Sequence, residues 1–303
     1  MTLAPRAADE LLAALGAKTT FAPGDGPLMV ACSGGPDSTA LAVLAVQTGR
    51  SVTLHHVDHG LRSGAADDAV HVRALGNRLG CDVVVHEVVV QATSNLEEEA
   101  RLARFGAMPK DVATGHTMDD QAETVLLNLL RGAGTTGLGA MVPGPRHPIL
   151  SIRRSETHEL CRQLDLPTTR DESNDDLRFT RNQVRSELIP LLAAISDRDP
   201  IPLLDRTARL ARADGELLDL LSAEAIPDPT DVAAIRAAPL PLASRALRSW
   251  LVAERSTDRS AHPPSEAEIE RILRVVRGEV VATEIQGGGR VARTKGRLRL
   301  EQG

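Results

Sequence analysis

The chain has 303 residues, of which 42% are hydrophobic and 25% charged, and a formal net charge of −6. This is the composition of a folded soluble protein long enough for two domains. No apolar stretch approaches the roughly 18 residues needed to cross a bilayer, and MTLAPRAADELLAALG lacks the basic start and cleavage site of a secretory signal, so a cytosolic protein is expected. Cys32, Cys81 and Cys161 are dispersed and form no CxxC pair, which argues against a disulfide framework or a locally spaced zinc or iron–sulfur site.

Leu28 to Cys32 reads as a short buried strand and Thr39 to Gln47 as a buried helix, leaving Ser33 to Ser38 (SGGPDS) as the turn between them. Gly34 and Gly35 allow backbone N–H groups to close on an anion without Cβ clashes, and the helix start adds unpaired donors. Ser33 and Ser38 add hydroxyls, and Asp37 is placed to hold a hard cation that phosphates also hold. The loop has no lysine, so it is not the GxxxxGK phosphate loop. SGGPDS resembles the SGGxDS loop of the adenylating N-type ATPases, which split ATP between its α and β phosphates.

Further strands are expected at SVTLHHV, DVVVHEVVV and DVATG, with helices at 38–48, 64–79 and 95–108. Such alternation predicts an α/β fold: a parallel sheet with helices on both faces and ligands at the carboxyl ends of the strands. At the second such end, HHVDHGLRSG sets His56, Asp58, His59 and Arg62 at the rim, where Asp58 or backbone groups meet a nucleoside, lone histidines near a strand end being more often structural. In SNLEEEARLARFGAM, Ser94 or Asn95 caps a helix on which Glu97 and Arg101 pair and Arg101 and Arg104 share a face. Both arginines are candidates for a phosphate-bearing substrate, or for a solvated helix surface.

In DVATGHTMDDQAETVLLNLLRGAG a strand ends at Gly115 and a helix starts near Asp119, itself a candidate cap. His116, Asp120 and Glu123, spaced four and three, converge on one edge of the helix start. With Asp37 they form a candidate Mg2+ and phosphate site. Beyond Pro190 come Arg- and Leu-rich helices, then Ile285 to Leu300 as a hairpin with turn glycines and alternating basic side chains. Basic residues gather at Arg178, Arg181, Arg185, Arg206, Arg209 and Arg212, and again at Arg290, Arg293, Lys295, Arg297 and Arg299. Each patch reads equally as an RNA footprint or a salt-bridged surface. With no Tyr, and only three Phe and one Trp, base stacking is not a main device.

SGGPDS, HHVDHGLR, NLEEEARLARF, TGHTMDDQAETVLLNLLRGAG and DESNDDLRFTRNQVRSELIPLL, in this order, resemble the tRNA(Ile)-lysidine synthetase family of PP-loop enzymes over residues 28–192. The resemblance implies an adenine nucleotide alpha-hydrolase-like catalytic domain at 1–197 and a smaller, mainly helical tRNA-recognition domain at 198–303. It implies ATP, Mg2+, free L-lysine and a CAU-anticodon tRNA(Ile), whose wobble cytidine O2 is adenylated before the lysine amine attacks C2. Oligomeric state is left open, a homodimer being one option.

By the same resemblance, Ser33, Gly34, Gly35, Pro36, Asp37, Ser38, Asp58 and Gly115 hold the nucleotide, and Asp37 and Asp120 share the metal. His116 and Glu123 line the pocket, with Asp120 or Glu123 as candidate proton acceptor. Arg101, Arg104 and Arg131 face nucleotide, lysine or tRNA phosphate, and Asn174, Arg181, Asn182 and Arg185 complete the site. The chain departs from the family pattern at Glu172, where the family has proline, at Gln183, where it has arginine, and in the short GAMPK connection before the TGH strand. Two other readings share the loop: a tRNA thiolase, whose paired cysteines are missing here, and a non-catalytic nucleotide-binding module.

Overall fold

A computed structural model describes residues 5–58, 65–88, 106–169, 176–255 and 263–301. Leu28–Ala31 (β1), Val52–Asp58 (β2) and Asp82–Glu87 (β3) form a parallel sheet in the order β1-β2-β3, with Leu28 opposite Val52 and Thr53 opposite Asp82. Parallel pairing requires crossovers. Pro36–Gln47 (α2) joins β1 to β2, and Ala65–Leu79 (α3) joins β2 to β3, while Pro5–Gly16 (α1) precedes the sheet. Every residue of α2 from Ser38 to Ala45 is buried, as expected of a helix apolar on all sides. Its Leu41 and Leu44 pack with Val30, Leu54, Leu75, Ile149 and Leu160 in the core.

The strand expected at 111–115 is reduced to one parallel bridge, Ala113 to Val30, on the side of β1 away from β2. Ala113 exchanges hydrogen bonds with Met29 and Ala31, but the next amide, Thr114 N–H, donates to the Arg146 carbonyl instead of continuing the ladder. The chain therefore places successive neighbours on opposite sides of β1. Such a reversal opens a crevice at the carboxyl end of the strand, and residues 33–38 lie there. The helix expected at 95–108 falls almost wholly outside the described residues.

Met118–Leu130 (α4), Thr135–Leu138 (α5) and Arg154–Gln163 (α6) follow the bridge. Thr180–Gln183 (α7) runs through a π-helical turn, Val184–Leu188, into Ile189–Ser196 (α8). Pro190 has no N–H to give to the preceding turn, which accounts for a wide turn at this point.

The chain divides into two compact units, Met1–Leu210 and Ala211–Gly303, within the helix Pro200–Ala225 (α9) and not after residue 197. The start of α9 belongs with the first unit because Pro200 and Ile201 line the same cavity as Asp119 and Arg153. In the second unit, Val232–Ala237 (α10), Leu240–Glu254 (α11) and Glu266–Arg277 (α12) bury Ile235, Leu247, Leu251 and Ile272. The expected hairpin is part of a three-stranded antiparallel meander, Ala282–Glu284 (β4), Arg290–Thr294 (β5) and Arg297–Glu301 (β6). Gly287 and Gly288 turn β4 into β5, and Lys295 and Gly296, both at positive φ, turn β5 into β6. Among the described residues no helix is long and apolar enough to cross a membrane.

Candidate active site

The loop after β1 is ordered by its own serines. Ser38 Oγ donates to the Gly35 carbonyl at 2.9 Å and accepts from Ser33 N–H at 3.2 Å, with Ser33 Oγ 3.2 Å away. Gly34 has φ +88°, a conformation that calls for glycine, and a Cβ there would lie 2.8 Å from Thr169 Oγ1, so the Thr169 side chain would also have to turn aside. Gly115 is required for a different reason. A Cβ on it would come within 3.0 Å of Ser38 N and 3.1 Å of the Asp37 carbonyl carbon, because the TGH turn runs directly against the start of α2. That approach brings Asp37 beside Asp120.

Thr117, not Asp119, caps α4. The Thr117 hydroxyl and N–H both donate to Asp120 Oδ2, at 2.7 and 2.9 Å. Asp119 serves a neighbour: its Oδ2 accepts from Arg154 N–H at 2.9 Å, capping α6, and from Arg153 Nε at 3.0 Å.

The centre of the site is Arg154, which the sequence reading did not single out. Its Nη2 meets Asp120 Oδ1 at 2.9 Å, its Nη1 meets Glu123 Oε1 at 3.0 Å, and its Nε lies 3.5 Å from Asp37 Oδ2. A signal was present in the sequence: Arg153 and Arg154 open a helix, where the dipole disfavours cations unless acids answer them. Arg181 and Arg185, four apart, close the cluster from the other side. Arg181 donates to Glu123 Oε2 at 2.7 Å and Asp120 Oδ1 at 3.0 Å, and Arg185 Nε donates to Glu123 Oε1 at 2.7 Å. Glu123, whose side chain has no exposed surface, thus meets three guanidiniums.

The two aspartates differ. Burial would push the Asp120 carboxyl up, but Arg154 and Arg181, with His116 and the Thr117 N–H, outweigh it and hold Asp120 well below the ordinary carboxylate range. Burial does push Asp37 up, and the Thr157 hydroxyl bonded to it and Arg154 only partly compensate. Asp37 is the acid short of positive charge. Held in guanidinium pairs with so low a proton affinity, Asp120 is a poor candidate for the proton acceptor that the sequence suggested.

Other expected residues fall elsewhere. Arg131 is exposed at the far end of α4, about 12 Å along the axis from Glu123 at about 1.5 Å per residue, and does not join the cluster. Asn182 is buried and donates to the Asp176 carbonyl at 2.9 Å, holding the turn before α7. Gln183 is exposed. His56 is buried below the rim, its Nδ1 2.9 Å from the Cys32 carbonyl oxygen, while Asp58 ends β2 and its carbonyl accepts from Val88 N–H at 2.9 Å. His59, Arg62, Arg101, Arg104, Glu172 and Asn174 lie outside the described residues. The first basic patch splits: Arg178 pairs with Asp176 and Arg209 with Asp205 in solvent, whereas Arg181 and Arg185 turn into the site. Of the second patch, Arg297 pairs with Asp228 and Arg293 reaches the Val276 carbonyl, leaving Arg290, Lys295 and Arg299 exposed on the meander.

Among the described residues no group of three or more His, Cys, Asp and Glu is arranged to hold a metal ion. Mg2+ bound with a nucleotide needs only one or two carboxylates, the phosphates and water supplying the rest. The under-compensated Asp37 fits that requirement. Oδ1 of Asp120 is engaged by Arg154 and Arg181, so it fits only when those guanidiniums turn to another anion. A cavity of about 530 Å³ lined by Asp119, Glu123, Arg153, Arg154, Arg185 and Asp199 opens against the same cluster.

A glycine- and serine-built anion loop at the reversal point of a parallel sheet defines the PP-loop class, and residues 7–192 match the PP-loop domain family model. The chain is 38% identical to the tRNA(Ile)-lysidine synthase of Nocardia farcinica over 92% of this chain and 93% of that one. It is 37% identical to that of Mycobacterium tuberculosis over 90% and 87%, and 40% identical to that of Mycolicibacterium paratuberculosis over 75% of each. The chain belongs to the tRNA(Ile)-lysidine synthase family. Its fold is similar to that of the U34-tRNA thiolase NcsA from Methanococcus maripaludis, solved with its 4Fe-4S cluster, with a TM-score of 0.57 at 16% identity over 69% of this chain and 81% of that one.

Proposed function

We propose that the protein joins free L-lysine to C2 of the wobble cytidine of a CAU-anticodon tRNA(Ile), through a tRNA adenylated by ATP, so that the codon read changes from AUG to AUA. The observation that carries this reading is the meeting of Asp37, from the anion loop, with Asp120 and Glu123, from the TGH helix, around Arg154. Ser33, Gly34, Gly35 and Ser38 present N–H and hydroxyl groups to the triphosphate. Asp37, joined by Asp120, would hold Mg2+, which when bound supplies positive charge against the departing pyrophosphate.

Arg154, Arg181 and Arg185 are preorganised cations. Their carboxylate partners hold them in place, which spares reorganisation when charge builds up on the phosphate. Adenylation makes the cytidine O2 a good leaving group, so that lysine attack at C2 expels AMP. His116 and Glu123 line the pocket where the amine arrives. Residues 198–303 supply tRNA recognition, with Arg290, Lys295 and Arg299 among the exposed cations of the meander.

The thiolase alternative finds less support. All three cysteines are described, Cys32 and Cys161 are buried, and burial pushes Cys161 up to about 12, far from a reactive thiolate.

Incubation with ATP, magnesium, lysine and CAU-anticodon tRNA, followed by mass spectrometry of the wobble nucleoside, tests the reading. A lysine adduct is expected, released with AMP and pyrophosphate. A gain of sulfur, or no mass change with nucleotide binding retained, would overturn it.

A further inference from the structure

We propose that Thr157 is a positioning residue for Asp37: its hydroxyl holds Asp37 Oδ1, so that Oδ2 is the oxygen turned toward Asp120, where Mg2+ would sit with the triphosphate. The proposal rests on the reading of Asp37 as a magnesium ligand and deepens it by naming the side chain that sets its direction, one that lies outside all of the family motifs.

Asp37 is the second residue of α2, and Thr157 lies one turn into α6. Residues four apart share a face of a helix, and Thr157 and Cys161 use that relation together. The Thr157 hydroxyl donates to Asp37 Oδ1, and Cys161 Sγ donates to the Pro36 carbonyl at 3.3 Å. The start of α2 is thus held at two adjacent residues, one through its side chain and one through its backbone. Thr157 has no exposed surface, and Leu160 beside it is buried in the core with Leu41 and Leu44 of α2. The hydroxyl also lies 2.7 Å from the Arg154 carbonyl oxygen, one turn back on α6, so its single proton is shared between two acceptors in a three-centre bond.

That contact decides which oxygen faces the site. Asp37 Oδ2 lies 3.5 Å from Arg154 Nε, and the same guanidinium meets Asp120 Oδ1 at 2.9 Å, so Oδ2 is on the side of the carboxylate toward Asp120. On the Oδ1 side, His158 Nε2 is 3.9 Å away on a half-exposed ring. Of the three side chains around the carboxylate, Thr157 is the one that can orient it without bringing a charge. A neutral hydroxyl leaves the negative charge of Asp37 for a cation, with which an arginine or lysine at 157 would compete. Mg2+ demands near-ideal octahedral geometry, so a carboxylate turned away from it loses affinity. Without the hydroxyl, Asp37 is left between Arg154 and His158 with nothing to choose its direction.

The test is calorimetry of ATP binding to the full chain without tRNA, once with magnesium and once with EDTA in its place. Thr157→Val removes the hydroxyl and keeps the side chain's shape. It should weaken binding with magnesium about tenfold, the scale of one hydrogen bond to a charged group, and leave the magnesium-free affinity unchanged; Thr157→Ser should restore the unaltered value. A Val variant that loses affinity equally in both conditions acts through the fold and overturns the proposal. So does one that loses none, or a Ser variant that restores nothing. Should the Val variant not fold, Thr157→Ala reads the same ratio. If the unaltered protein binds ATP equally with and without magnesium, this proposal and the metal reading of Asp37 fall together. Failure to attach lysine to tRNA would instead remove the functional reading, leaving Thr157 to be judged by the magnesium ratio.

Discussion

Arg154 shows how one side chain can balance a site. Its guanidinium contacts three carboxylates, and with Arg181 and Arg185 it matches three buried or half-buried acids with three cations. Removing one partner of a buried ion pair costs about 3 kcal/mol or more, since the opposite charge is left without compensation. Arg154→Ala is expected to lower the unfolding free energy by that amount, read as a lower urea midpoint at unchanged slope, and to weaken ATP binding; an unchanged midpoint would show that Arg181 and Arg185 suffice. His147 makes a second prediction. Burial, with the neighbouring His116 and Arg146, pushes its folded value down to about 4, below the ordinary histidine value, so between about pH 6.5 and 4 the unfolded chain takes up a proton that the folded chain refuses. Stability should fall as pH drops through that window, and urea midpoints should flatten there in His147→Asn. Asp120 acts at lower pH: its stabilisation is present above the ordinary carboxylate value and is lost as pH falls through its depressed folded one.

At the scale of elements, the anion loop and the TGH turn work as a pair because Gly115 lets two backbones touch. Gly115→Ala would drive a methyl group into the amide of Ser38, so the start of α2 must move. The expected result is at least a tenfold loss of ATP affinity by calorimetry, with most of the fold's stability kept; full affinity would show that the loop tolerates the shift. Much at this scale was legible in the sequence. β1, α2, β2, α3 and α4 lie within a few residues of where apolar runs and caps placed them, since buried strands and helices write their periods into the chain. The strand at 111–115 was not, because its fate turned on Thr114 N–H bonding to Arg146, a partner with no local signature. The cap of α4 was misjudged by two residues for a related reason: Asp119 has the right chemistry for a cap but spends it on α6.

For the molecule as a whole, the net charge of −6 hides two basic groups with different fates. Arg181 and Arg185 are consumed by the carboxylates of the Asp120 and Glu123 cluster, while Arg290 and Arg299 stay in solvent on a meander whose other arginines are engaged. Replacing Arg290 and Arg299 together with glutamine should weaken tRNA binding and reduce the slope of log K against log salt by about 2, close to one released counterion per contact. An unchanged slope would place the RNA on another surface.

The sequence by itself determined the class of fold, the anion loop and the ordered set of motifs that mark the family, because these depend on local conformation and on residues close together in the chain. Only the tertiary structure decided which charges meet: Arg154 with Asp37, Asp120 and Glu123, Thr157 with Asp37, and Arg131 apart from them all. Charge pairing and proton sharing fall off over a few ångströms of space, and separation along the chain carries no record of those distances until the backbone has folded.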